Sequence, residues 1–207
     1  MAVKLEFDHI VIGAETLGAG VAFVEDKLGV RMAPGGSHAV MGTHNRLLSL
    51  GEGYLEVIAI DPDAPTPPHA RWYGLNTFAG PPRVTNWVAR TDDLAGALAL
   101  APPGTGKPMD VTRGDLSWTM AVPEDGQLPF ANAFPALIQW HGDAHPAKRL
   151  PDQHCRLAAL QVSAIQPFDL RDALAQFDGG CQDLVVNWAG QPFGVAISTL
   201  TGLTKLQ

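Results

Sequence analysis

Residues 5–61 read LEFDHIVIGAETLGAGVAFVEDKLGVRMAPGGSHAVMGTHNRLLSLGEGYLEVIAID, and hydrophobic spacing divides this stretch into a strand, a helix and three further strands. FDHIVI (7–12) is a β-branched run long enough for a strand and too short for a helix. Thr16 is an N-cap residue type, and the leucines and alanines after it recur at helical spacing as far as Leu28. Gly29 follows, the residue that most readily adopts the left-handed C′ conformation. Pro34-Gly35-Gly36 interrupts the next strand, and residues 46–50 and 54–60 form a hairpin across Gly51-Glu52-Gly53.

The same pattern returns twice. Leu17-Gly18-Ala19-Gly20-Val21-Ala22 aligns with Leu94-Ala95-Gly96-Ala97-Leu98-Ala99 and with Leu170-Arg171-Asp172-Ala173-Leu174-Ala175. Thr16, Asp93 and Asp169 precede them, each an N-capping type. Each follows a strand-like run: FDHIVI, VTNWVA (84–89) and LQVSAI (160–165). Repeated units of this kind define the architecture before any other feature does. Residues 61–82 are proline-rich and polar, a connecting loop whose interior, 70–78, is expected to form a short helix over the sheet. In 110–122, Leu116, Trp118, Met120 and Val122 alternate as in a half-buried strand, and PALIQW (135–140) matches the closing strand 54–60. The third copy ends in strands near 184–188 and 193–200. The fold expected is α+β, with antiparallel strands rolled around a cleft and helices outside. It reads as one domain, 1–207: module one 5–61, linker 62–82, module two 83–142, linker 143–156 and a partial third module 157–203.

The 207 residues are ample for a real core, and 46% hydrophobic against 17% charged residues is a globular composition. A net charge of -7 argues against nucleic-acid binding, which needs a basic face. No apolar run approaches the roughly 18 residues of a membrane helix, and the start MAVKLEFDH lacks the apolar core of a signal peptide. The expectation is a cytoplasmic protein in which Cys155 and Cys181 stay reduced.

FDHIVI with its mid-strand histidine, LGV after the first helix, and YLEVIA with its glutamate resemble the vicinal oxygen chelate superfamily. GTHN (42–45), PALIQW and His145-Pro146 are similar to its glyoxalase-like group with a third, partial module. The resemblance implies tandem βαβββ modules forming a half-open mixed β-barrel cleft. It also implies up to four metal ligands from the first and last strands of each module, which here are His9, Glu56, Asn86 and Gln139. Asn86 corresponds to His9 because each sits eight residues before its helix leucine, Leu17 or Leu94. Asparagine and glutamine depart from the His, Gln or Glu usual in metal-using members. A transition metal prefers imidazole and carboxylate donors, whereas neutral oxygens suit harder ions. The divalent metals in question are Mn, Ni, Zn, Mg or Fe. The other reading is a vestigial site in which His9 and Glu56 bond each other or a ligand. Strand alternation sets Asn45, Leu47 and Ser49 on one face and His44 with Arg46 on the other, without saying which face lines the cleft.

Asn45, Trp87, Trp118 and Trp140 are candidates for the pocket wall, and Arg90 and Arg113 for holding an anionic part of a substrate. His141 and His145 have HxxxH spacing, but Gly142 and Pro146 make this a loop, so surface or structural roles are expected. His38, beside Gly35-Gly36, is read as a solvated turn histidine or a proton shuttle at the cleft mouth. Gly35-Gly36 opens no helix and is no phosphate loop. Together with the resemblance, these residues point to a metal-dependent isomerase or lyase that binds a small oxygen-bearing molecule in the cleft, with Glu56 and His9 as catalytic residues. The alternative is a non-catalytic small-molecule sequestration protein. A homodimer is expected, since an open sheet edge is often covered that way.

Overall fold

Strand β1 (Glu6–Gly13) lies in the middle of the sheet that forms the body of the molecule, and everything else is placed relative to it. A computed structural model describes residues 2–179, 184–187 and 192–207. Module one continues with α1 (Leu17–Leu28), β2 (Ala33–His38), β3 (Thr43–Ser49) and β4 (Tyr54–Ile60). The Thr16 hydroxyl accepts from the Ala19 N–H at 3.2 Å and Gly29 ends the helix at φ 68°, as those residue types dictate. Module two repeats the order with β5 (Arg83–Arg90), α2 (Leu94–Leu100), β6 (Lys107–Arg113), β7 (Leu116–Val122) and β8 (Ala136–Trp140). Asp93 caps α2 by accepting from the Gly96 N–H at 2.8 Å.

The eight strands run β2-β3-β4-β1-β5-β8-β7-β6. β1 pairs with β4 in parallel and with β5 antiparallel, and β5 with β8 in parallel, so the two modules mirror each other across the β1–β5 seam. The sheet curls until its end strands meet. The Arg113 side chain on β6 lies so close to Gly36 on β2 that an added Cβ there would be 2.8 Å from its Cδ. The end strands approach through side chains without pairing, so β2 and β6 are the edges of a half-open barrel.

Alternation sorts β1 into two faces. Ile10 and Ile12 join Leu55, Val57, Trp87 and Ala89 in the outer core under the helices, while Val11 joins Ile58, Val88, Trp118, Met120 and Ile138 inside the barrel. Burying each large aliphatic side chain stabilises by roughly 1.5–3 kcal/mol. A one-residue slip would turn that outer set to the wrong face, so burial of Leu55 and Val57 also fixes Glu56 inward.

The third copy forms its own four-stranded sheet, ordered β10-β9-β11-β12. It comprises β9 (Arg156–Ser163), α3 (Pro167–Leu174), β10 (Leu184–Asn187), β11 (Phe193–Thr199) and β12 (Gly202–Leu206). Leu160, Val162, Val195, Ile197 and Leu206 pack into the outer core of the barrel. Two expectations change here. α3 starts at Pro167, with Gln166 in the cap position and Asp169 inside the first turn, because proline's fixed φ suits the first helical turn. β12, unforeseen in the sequence, pairs with β11. The 61–82 connection holds a 3-10 segment, Trp72–Thr77, broken where Tyr73 and Gly74 take left-handed conformations. Cys155 is a buried free thiol, whereas Cys181 and Trp188 lie outside the described residues.

Candidate functional site

The site begins with an irregularity in β1. Phe7 pairs with Ala89 and His9 with Val88, leaving Asp8 as the extra residue of a bulge. A bulge re-aims side chains locally, and here the Asp8 carboxylate comes to 2.6 Å from the Nδ1 of its neighbour His9. Asp8 is fully buried. Its other oxygen accepts from Trp140 Nε1 and from His145 Nε2, each at 3.0 Å. His145 Nδ1 accepts the Ala147 N–H at 3.2 Å, so its hydrogen is on Nε2 and points to Asp8. The histidine expected to have a surface or structural role is thus part of the buried network, and Asp8 is its unforeseen centre.

On the other side of the imidazole, His9 Nε2 faces Glu56 Oε2 at 3.5 Å, and the Tyr54 ring stacks on His9 with centroids 4.4 Å apart. Asn45 donates to Glu56 Oε1 and accepts the Gly36 N–H at 2.9 Å. Gly35 is needed for this approach: a Cβ there would stand 2.1 Å from Asn45 Oδ1. That packing, with Arg113 against Gly36, explains the glycine pair. Leu47 and Ser49 are in register with Glu56 and Tyr54, so the Asn45 face lines the interior. His44 points outward, 4.0 Å from Asp61.

His38 also differs from its sequence reading. It is 2% exposed, inside the barrel rather than in a solvated turn. Its Nδ1 is 3.0 Å from Thr43 Oγ1, and its Nε2 lies 3.3 Å from both Asn45 Nδ2 and Arg113 Nη1. Two N–H donors facing Nε2 make that nitrogen the acceptor and put the hydrogen on Nδ1. Trp72 and Trp118 stand edge-on to the ring.

Electrostatics follow from this geometry. Burial alone would raise the Asp8 carboxyl, but the hydrogen bonds from His145 and His9 hold it well below the usual carboxylate range. Burial would lower His9, yet its bonds to Asp8 and Glu56 raise it to about 9. Glu56 is likewise raised by burial and more strongly lowered by His9 and Asn45, to about 2. His38 is lowered to about 4, by burial first and then by Arg113 and His9, against Glu56. The interior at neutral pH therefore holds an imidazolium between two carboxylates, with a neutral imidazole and a guanidinium beside them.

Three side chains named from sequence lie elsewhere. Trp87 faces the outer core and donates from Nε1 to the Ala133 carbonyl at 3.0 Å. Gln139 is one residue out of phase with Ile138 and Trp140, which face inward; its Oε1 accepts the Leu94 N–H at 2.9 Å on the helix side. Arg90 pairs with Glu6 at 3.1 Å at a surface cleft. That cleft, about 730 Å³, is also lined by Trp140 and His145. Trp118 and Trp140 do share the interior, with ring centroids 5.1 Å apart.

The four metal positions do not fit a single ion. Gln139 is on the opposite face, where its Oε1 is taken by the Leu94 N–H, while Asn86 lies across Val11 from Glu56 with a neutral amide as its only donor group. Both His9 nitrogens already face carboxylates. Among the described residues no three His, Cys, Asp or Glu side chains converge as metal ligands.

The family model of the glyoxalase-like domain matches residues 7–177, so the chain belongs to that family, within the vicinal oxygen chelate superfamily. A hypothetical protein from Staphylococcus aureus has the same fold, with a TM-score of 0.59 at 17% identity over 93% of this chain and 81% of that one. A Streptomyces coelicolor methylmalonyl-CoA epimerase in complex with 2-nitronate-propionyl-CoA matches more loosely, at TM-score 0.46 and 17% identity over 70% of this chain and all of the other. Methylmalonyl-CoA epimerase from Mycobacterium tuberculosis gives 0.42 and 16% over 67% and 89%. At these identities the likeness concerns fold alone. Comparison with curated protein sequences gave no significant match. No helix among the described residues is long and apolar enough to cross a membrane.

Proposed function

We propose that the barrel binds a small molecule bearing neighbouring oxygens and moves a proton on it, as an isomerase or lyase. The observation that carries this reading is the buried chain Asn45–Glu56–His9–Asp8, a carboxylate and an imidazolium fixed side by side in a water-poor interior. Perturbed titratable groups held together in this way are a recurrent property of acid–base sites. A ligand oxygen that takes the N–H of Asn45 and the guanidinium of Arg113 would release Glu56 Oε1, and losing that hydrogen bond raises the basicity of the carboxylate. Glu56 would then accept a proton from a carbon next to the ligand carbonyl, leaving the electron pair as an enolate. His9 and Arg113 would hold the enolate charge. Return of the same proton to another position completes an isomerisation. The Trp140–His145 cleft would be the approach. No step here uses a metal, because the implied ligand set does not fit one.

The second reading is binding without chemistry, and it is favoured by the strength with which His9 holds Glu56. A carboxylate kept near 2 is a weak base. Incubation in D₂O with a panel of small 2-oxo and 2-hydroxycarbonyl compounds, followed by proton NMR, separates the two. C–H to C–D exchange is expected with at least one compound, and its loss in Glu56→Gln. Ligand-induced stabilisation without exchange in any compound would leave the binding reading.

A further inference from the structure

Among the described residues, the buried side-chain nitrogens and oxygens without a hydrogen-bond partner belong to Trp72, Thr85 and Asn86. Asn86 is the most exacting case. It is 0% exposed, and both its Nδ2 and its Oδ1 lack partners. Buried polar groups in folded proteins are almost always paired, and leaving one unpaired is costly. Asn86 sits on the inward face of β5, in register with Val11, next to the Thr85 bulge. Thr85 and Tyr73 line a separate cleft of about 460 Å³ with Phe78, Gln127 and Phe193. Trp72 and Tyr73 belong to the 3-10 segment whose left-handed Tyr73 (φ 58°) is an uncommon conformation for a bulky residue.

We infer that Asn86 forms a second subsite in the barrel, specific for a neutral carboxamide-like group, at the end where Thr85 and the Trp72–Thr77 segment meet. A carboxamide presents a donor beside an acceptor, and its natural complement is another amide or lactam joined by two hydrogen bonds. The group is an amide rather than an acid because a carboxylate offers acceptors only and would leave Asn86 Oδ1 unpaired. The guanidinium of nearby Arg83 bonds the Ala79 and Pro81 carbonyls and stacks on Phe78 at 4.2 Å. A carboxylate at Asn86 would therefore gain no ion pair from Arg83. The subsite rests on the barrel being a ligand cavity, not on Glu56 acting as a base. Its test therefore reads Asn86 itself, and deuterium exchange can fail without deciding it.

The test is titration of ¹⁵N-labelled protein with acetamide and 2-pyrrolidinone, with acetate and acetone as controls. The Asn86 side-chain NH₂ signal is assigned by its loss in Asn86→Leu, or in Asn86→Ser should the leucine variant fail to fold. The expected result is a saturable shift with the two amides and none with acetate. Removing an orphaned amide should also raise the melting temperature of ligand-free Asn86→Leu by roughly 2–6 °C. An Asn86 signal that no amide moves, or a leucine variant that folds and melts below the wild type, would overturn the subsite and leave Asn86 with an ordered water or a structural role.

Discussion

The protonated state of His9 makes stability depend on pH in a direction opposite to that of most buried histidines. Asp8 and Glu56 raise its folded pKa from the ordinary 6.5 to about 9, so the folded protein binds the proton more tightly than the unfolded chain. That contribution is fully present below pH 6.5 and is lost as pH rises to 9. The difference between the two values corresponds to roughly 3 kcal/mol. His38 works the other way: with a folded pKa near 4, its contribution is present above pH 6.5 and is lost as pH falls toward 4. The two arms place maximal stability near pH 6.5. The assay is urea unfolding by tryptophan fluorescence at half-unit steps from pH 5 to 9, for wild type, His9→Gln and His38→Gln. Wild type should lose about 1.4 kcal/mol per pH unit over the middle of the alkaline arm, one proton's worth, and His9→Gln should be flat there. A flat wild-type curve between pH 6.5 and 9, or an undiminished slope in His9→Gln, would refute the charge assignment.

Arg113→Met removes a guanidinium 3.3 Å from His38 Nε2. Burial remains the main cause of the low His38 value, so its pKa should rise only part of the way to 6.5, as followed by proton NMR. Gly35→Ala forces a methyl group onto the carboxamide and carbonyl of Asn45 and should cost about 1–3 kcal/mol or more in urea unfolding. Gly18→Ala, with open space around its site on α1, should instead stabilise by about 0.4–1 kcal/mol. Gln139→Leu should cost about 0.5–1.5 kcal/mol through the lost bond to Leu94 and leave ligand binding in the barrel intact; loss of binding with stability unchanged would put Gln139 back in the site.

Much of the fold was legible because its determinants are local. FDHIVI, the caps Thr16 and Asp93, Gly29, and the alternation of Leu116, Trp118 and Met120 each act within a few residues. The pairing of the modules followed from their repetition. α3 was misplaced by three residues because Asp169 and Pro167 both suit a helix start, and only the backbone shows which comes first. The site was legible in part. His9, Glu56 and Asn45 come together, since period-two alternation carries them to one face. Gln139 was lost to the same alternation: position in the closing strand was matched to Glu56 without its phase relative to Ile138 and Trp140. Asp8 could not be read, because alternation opposes it to His9 and only the bulge reunites them. His38 and His145 bond partners 75 and 137 residues away in Arg113 and Asp8, separations that no local pattern encodes. A signal did exist for His38, in that a glycine pair beside a histidine marks close approach of other side chains.

Histidine side-chain ¹⁵N spectra at pH 7.5 observe directly whether an imidazolium lies between two carboxylates next to a neutral imidazole inside one barrel. His9 should show both ring nitrogens protonated, and His38 a protonated Nδ1 beside an unprotonated Nε2. A neutral His9 with a bare Nε2, or a His38 protonated on Nε2, would contradict the charge arrangement from which the proposed chemistry is built.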